Sequence, residues 1–328
     1  MGSHIFVTGE ENFKKCLERG VYGNTKPDPA GPQSGRDNAI VIAGMESVRK
    51  DDFIFLYVSK KGLYGLWKAT STPFFDPKID VWNPPGKYPY AVTFQPVMRA
   101  FRKPIALNDI HDLRDKGRIW TFDLATRNRR NHYGITTEEA RELVRLLLRN
   151  NPIESPPDPI VSPYTAKSNP LPLSLMANGK GQLKYEGYLS AWFMRQFAQG
   201  KLKDRIGEYQ DFLNFVPTSF DKEMDVFLTH VTNVDGIAVL HKFTCIELKT
   251  PEATEEDLRQ LIQYEDWIAR KLADGDHEMV QSILVASGFR REILAYIRNR
   301  KRIDKKTVRL VQYMVDKEHD DLRLEEVE

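Results

Sequence analysis

Two strings, Asn233-Val234-Asp235-Gly236-Ile237 and Cys245-Ile246-Glu247-Leu248-Lys249, decide how the second half of this 328-residue chain is read. Side chains alternate along a strand, so Cys245, Glu247 and Lys249 leave one face while Ile246 and Leu248 leave the other. A turn at His241-Lys242 would fold Gly236–Leu240 back beside Cys245–Leu248 and set Asp235 near Glu247. Two carboxylates converging at a sheet edge form an oxygen-rich site for Mg²⁺, or Mn²⁺, completed by water and a substrate phosphate. Lys249 beside the ion would orient or deprotonate an attacking water and offset the charge developing on phosphate. Asp225, ten residues earlier, is the poorer partner for Glu247 because it lies farther from that turn.

The surrounding sequence supports a site rather than a surface ion pair, the commonest meaning of a lone Glu-x-Lys. Gln260 and Tyr264 stand at i and i+4 on an expected helix, Glu255–Leu272, and share one face of it. On another, Leu183–Phe197, Glu186 occupies the polar side of an apolar stripe made by Leu189, Trp192, Phe193 and Phe197. Strands are expected at Val226–Thr232, Gly236–Leu240, Cys245–Leu248, Val280–Val285 and Val308–Val315, with further helices at Ile206–Phe215 and Arg290–Asn299. This is an α/β sandwich with mixed strand pairing.

From about residue 180 to 316 the pattern resembles the PD-(D/E)XK nuclease superfamily. The resemblance implies a restriction-endonuclease-like α/β/α core with a mixed sheet. It implies Asp235 and Glu247 as metal ligands, Lys249 as the catalytic lysine, Glu186 as a helix-borne acid and Gln260 with Tyr264 as an auxiliary pair.

A proline-dense stretch, residues 151–175, excludes helix and regular strand and reads as a stiff linker between domains 1–150 and 176–328. The first domain closes with a helix at Ala140–Arg149, for which Thr136 is the N-cap and Glu139 completes a capping box. Before it, a helix at Glu10–Arg19 and strands at His4–Thr8, Ala39–Ile42, Phe53–Val58, Gly62–Ala69, Ala91–Val97 and Ile119–Phe122 suggest a small curved sheet or partial barrel. Tyr22, Trp82 and Tyr88 fall on loops beside Gly and Pro, where aromatic rings are placed to stack on a flat or cationic group. Trp67 and Trp120, in strands, read as packing.

The strings Ile5-Phe6-Val7, Phe53–Val58, Leu63–Ala69 and Val81-Trp82, with the closing helix, resemble the YTH/EVE group of the PUA-like superfamily. That resemblance implies a reader of modified bases. Tyr22, Trp82 and Tyr88 become the cage and Asn38 the residue that reads the base edge, with Asn24 a weaker candidate. Tyr22 stands where YTH readers usually carry tryptophan.

The net charge of +2 conceals an excess of +7 in residues 1–150 and −5 in the remainder. A basic half fits a polyanion. Phosphate contacts are expected at Arg127, Arg129 and Arg130, supported by Arg99, Arg102 and Lys103. Two distant cysteines, Cys16 and Cys245, exclude a disulfide framework and fit a reducing, cytoplasmic setting. No run is long and apolar enough to cross a membrane.

The expectation is a modification-dependent DNA endonuclease that holds a flipped methylated base, N6-methyladenine or a modified cytosine, and hydrolyses a nearby phosphodiester. A structure- or mismatch-specific nuclease and a non-catalytic reader of methylated nucleic acid are the alternatives. Double-strand cleavage with one site per chain would favour a homodimer.

Overall fold

The computed structural model describes all residues except 28–33, 123–129, 176, 180, 317, 319 and 328. Packing divides the mixed α/β chain into two compact units, residues 1–34 with 44–172, and residues 35–43 with 173–328.

The first unit is built on β1 (Ser3–Thr8), α1 (Glu10–Arg19), β2 (Val21–Asn24), the outer parts of α2 (Ser34–Glu46), β3 (Phe53–Val58), β4 (Gly62–Ala69), β5 (Phe74–Phe75), β6 (Tyr90–Pro96), α3 (Leu107–Asp115), β7 (His132–Ile135) and α4 (Thr137–Asn150). Its sheet runs β2-β6-β4-β3-β1-β7, with β5 on β6, and curls into a half-barrel. A core of Ile5, Phe55, Leu63, Ile105, Leu143 and Leu147 joins α4 to the sheet. The expected capping box is present: Glu139 N donates to Thr136 Oγ1 at 3.2 Å and Thr136 N donates to Glu139 Oε2 at 2.8 Å.

Two expected strands are absent, for different reasons. Ile119–Phe122 forms no ladder because the backbone N–H groups of Trp120 and Thr121 donate to the buried Glu139 carboxylate, at 2.7 and 2.8 Å. Ala39–Ile42 lies inside α2, where Ala39, Ile42 and Ala43 are buried. A short apolar run does not reveal its own period, and here tertiary packing decides.

The proline-rich stretch has no regular structure, and its residues 151–172 are grouped with the first unit. Ser162 N donates to Glu18 O at 3.1 Å, Tyr164 N to Arg19 O at 2.7 Å, and Phe75 N to Asn169 O at 2.9 Å. The Tyr164 ring stacks on Phe74 at 6.2 Å between centroids. The segment is a docked strap.

The second unit contains α5 (Glu186–Ala198), α6 (Lys203–Ile206), β8 (Asp211–Pro217), β9 (Glu223–Val234), β10 (Ile237–Leu248), α7 (Glu255–Leu272), β11 (Val280–Ala286), α8 (Arg291–Ile303), β12 (Val308–Asp316) and β13 (Asp321–Val327). The sheet order is β13-β12-β11-β10-β9-β8, parallel across β10-β11-β12 and antiparallel elsewhere. Ile246 and Leu248 pack with Leu189, Phe193 and Phe197 of α5, while α7 covers β10 and β11 from the other side. The helix expected at Ile206–Phe215 is instead the end of α6 followed by edge strand β8, whose Phe212, Leu213 and Val216 are buried.

The two strands expected at Gly236–Leu240 and Cys245–Leu248 are one strand, β10, with an irregularity between Leu240 and Lys242. The chain reverses at Asp235-Gly236, both with positive φ (50° and 90°), and Asn233 Oδ1 accepts from Gly236 N at 2.7 Å. Asp-Gly at paired positive φ is the signature of a tight hairpin. Beyond Thr229 and Phe243 the β9–β10 ribbon extends past its neighbouring strands, and its residues 232–240 are exposed.

Candidate functional site

The hairpin geometry overturns the expected role of Asp235. It sits at the exposed tip, ten strand residues from the Ile237–Glu247 end, about 33 Å away at strand rise. The His241-Lys242 turn does not exist, so nothing returns Asp235 toward Glu247. In the observed register Ile246 pairs with Val226, which brings Asp225 beside Glu247. Asp225 Oδ2 accepts from Leu248 N at 2.8 Å. Counting back from the Asp-Gly turn, with one position added for the irregularity, would have found Asp225 in the sequence.

The other five expected residues converge where β10 leaves the sheet. Lys249 Nζ donates to Glu247 Oε1 at 2.6 Å and lies 3.7 Å from Glu186 Oε1 at the start of α5. Gln260 Nε2 donates to the same Glu247 oxygen at 2.9 Å and contacts the Tyr264 hydroxyl at 2.7 Å. The Tyr264 hydroxyl donates to Glu223 O at 2.7 Å, anchoring the pair to β9. Asp257, in the first turn of α7, adds a further negative charge that acts on Glu186 and Glu247.

Burial sets the electrostatics. It pushes Glu247 up to about 7 against the pull of Lys249, and Glu186 up to about 7 with help from Asp225. Asp225 is raised by burial and then by the Glu247 charge. Burial disfavours the Lys249 charge, but Asp225, Glu247 and Glu186 together outweigh it and hold the ammonium protonated. A lysine so held is unsuited to deprotonating water, the second of its two expected roles.

Among the described residues no three His, Cys, Asp or Glu side chains form a ready metal-binding group, and the Lys249 ammonium sits against the acids. One atom does call for a cation. Among the described residues Glu247 Oε2, which is buried, has no hydrogen-bond partner. An orphaned carboxylate oxygen with Asp225 adjacent fits Mg²⁺ or Mn²⁺, which need only one or two carboxylates from the protein.

In the first unit, Tyr22, Trp82 and Tyr88 line one cleft of about 270 Å³. They do not form a parallel slot. Trp82 and Tyr88 meet edge to face, at 5.2 Å and 76°. Tyr22 is buried, stacked on Phe6 at 4.2 Å, with its hydroxyl donating to Asn131 O at 2.9 Å. Gly23 allows this approach, since a Cβ there would lie 2.7 Å from the Trp82 ring and from Tyr88 Cβ.

Asn38 is not at this cleft. It lies in the part of α2 grouped with the second unit, because the run read as a strand is helical. Asn24 is buried behind the cleft, accepting from Thr25 N and Asn131 Nδ2. The polar lining that sequence reading missed is Asn12, whose Nδ2 donates to Tyr88 OH at 3.1 Å, with Asn131, Thr8 and Ser59. The i, i+4 spacing of Asn12 and Cys16 was the available signal for Asn12.

The expected phosphate contacts fare unevenly. Arg127 and Arg129 lie outside the described residues. Arg130 is half-buried, and its backbone N donates to Tyr133 OH. Arg102 is engaged by both oxygens of Asp158, at 2.8 and 3.0 Å, and Arg99 donates to Asn151 O.

No family model matches the chain, and no curated protein matches it. Several solved structures are similar. Rpa0253 from Rhodopseudomonas palustris is 14% identical with a TM-score of 0.30, over 44% of this chain and 92% of its own. Atu2648 from Agrobacterium tumefaciens is 18% identical with a TM-score of 0.30, over 48% of this chain and 100% of its own. The YTH domain of the Zygosaccharomyces rouxii MRB1 protein, solved with N6-methyladenosine RNA, is 17% identical with a TM-score of 0.26, over 44% of this chain and 86% of its own.

Proposed function

We propose that this protein is a metal-dependent nuclease whose first unit holds a modified base and whose second unit hydrolyses a DNA phosphodiester. The observation that carries the reading is the convergence of Asp225, Glu247, Lys249, Glu186, Gln260 and Tyr264 around a carboxylate oxygen left without a partner.

Asp225 and Glu247 would hold the divalent ion. When bound, it would supply Lewis-acid stabilisation of the charge on the phosphoryl oxygens. Gln260 fixes Glu247 through Oε1 and leaves Oε2 free, and Tyr264 fixes Gln260. Lys249 brings a permanent positive charge to the place where phosphate charge increases. Glu186, poised near neutrality, is able to accept a proton from water at working pH.

In the first unit the cleft is smaller than the roughly 300–1,000 Å³ of drug-sized ligand pockets, which suits a single base. Stacking would contribute roughly 1–3 kcal/mol and an added methyl about 0.8 kcal/mol, so discrimination between modified and plain base would be modest.

Incubation of supercoiled plasmid with Mg²⁺ tests the reading. The wild type is expected to cut methylated plasmid faster than unmethylated. Asp225→Asn and Lys249→Ala should abolish cutting, whereas Asp235→Asn should leave it intact. Loss of cutting in Asp235→Asn with retention in Asp225→Asn would sink this assignment. Tight binding to methylated DNA with no cutting by the wild type would establish the reader alone.

A further inference from the structure

The C-terminal turn of α8 and the segment that follows, Arg298-Asn299-Arg300-Lys301-Arg302-Ile303-Asp304-Lys305-Lys306, concentrate positive charge in a half of the chain that is otherwise acidic. Arg300 is accounted for: it is buried and forks onto Glu265, with Nη2 at 2.5 Å and Nη1 at 3.1 Å. The rest are not. Arg298, Lys301, Arg302 and Lys305 are exposed and Lys306 is half-buried. None of the five has a carboxylate within 4 Å among the described residues. Among the described residues their hydrogen bonding is confined to Lys305 Nζ, which donates to Arg302 O at 3.3 Å.

Complementing the helix dipole explains cations in the last turn. It does not explain Lys305 and Lys306, which lie beyond the helix, nor Arg298 before that turn. The one carboxylate within the run is Asp304. Some exposed arginines elsewhere on this protein are paired, as Arg259 is with Glu255 and Arg323 with Asp316, but such isolated side chains are spread over the surface rather than gathered in one run. Five unpaired cations within nine residues repel one another and fit an extended polyanion.

The topology fixes where this cluster stands relative to the acidic centre. Lys249 N donates to Val285 O at the end of β11, and α8 starts a few residues later. β12 returns from the far edge, with Val308 paired to Ser282. The 13 residues of α8 therefore carry the chain from the edge bearing Lys249 to the opposite edge, about 20 Å away, or roughly six base pairs of duplex.

We propose that Arg298, Lys301, Arg302, Lys305 and Lys306 form a backbone-contacting surface for duplex DNA, which tracks the phosphates along the second unit away from the centre. This rests on the reading of the substrate as DNA, but its readout is separate because it needs no cleavage. Binding of the full-length protein to a labelled 30-base-pair duplex would be followed by anisotropy in EDTA, at several KCl concentrations. The quintuple change to Gln should weaken binding and flatten the plot of log affinity against log salt by about 4, at roughly 0.9 per lost phosphate contact. A variant exchanging Lys and Arg among the five should retain the wild-type slope, and thermal melting of both variants would report on folding. An unchanged slope in a folded Gln variant overturns the proposal, as does binding to anionic vesicles or polyglutamate as strong as to duplex. Failure to cut, with the slope behaving as expected, would defeat the nuclease reading and leave this surface standing.

Discussion

At Glu247 the two carboxylate oxygens lead different lives, one bonded to Gln260 and Lys249 and the other without a partner. Gln260→Ala removes a hydrogen bond to a charged group, worth about 1.5–3 kcal/mol. We expect kcat to fall roughly tenfold to a hundredfold with little change in KM, checked by steady-state kinetics on a labelled duplex. The same carboxylate governs a pH effect. Folded Glu247 titrates near 7 and the unfolded group near 4.5, so the folded protein binds more protons between those values. Its contribution to stability is complete below about 4.5 and gone above 7, so stability falls as pH rises through that window. Glu247→Gln should remove up to roughly 3 kcal/mol of that fall, measured by urea denaturation at pH 5 and 8. Glu247, Lys249, Gln260 and Tyr264 were legible in the sequence because each relation lies within one strand or one helix, at a spacing of two or four. Asp225 was not, because its pairing depends on where a different segment turns.

Elements show the same division between local and tertiary control. The helices Glu10–Arg19 and Glu255–Leu272 coincide with their expected limits, since caps and periodicity are written in adjacent residues. α2 and β8 were misread because their short apolar runs take whichever form their neighbours dictate. On β9, His230 is buried, with Nδ1 2.6 Å from Glu208 O and Nε2 2.7 Å from Thr244 Oγ1. Burial pushes it down to about 4 from 6.5, so it supports folding above 6.5 and that support is lost as pH falls to about 4. His230→Gln should flatten the acid side of the stability profile by up to roughly 3 kcal/mol, the opposite slope to that of Glu247. Beside the aromatic cleft, Gly23→Ala places a methyl 2.7 Å from the Trp82 ring. Overpacking of that kind costs about 1–3 kcal/mol, and we expect lower Tm together with loss of modified-base binding.

For the whole molecule, the strap changes where the chain is divided. Proline density shows that residues 151–172 are irregular, but not that they are docked, because docking depends on the surface they meet. Tyr164 on Phe74 and the bonds to Glu18, Arg19 and Phe75 make the strap part of the first unit. Full-length chains carrying Tyr164→Ala should therefore melt lower, at a cost of about 3 kcal/mol or less given that this ring is only half-buried. At the opposite extreme of exposure, the β9–β10 ribbon ends in a tip some 33 Å from Glu247 along the strand. That separation makes Asp235 an attachment point: a fluorophore or surface tether installed there through Asp235→Cys would report on the moving protein without touching the acidic cluster around Glu247.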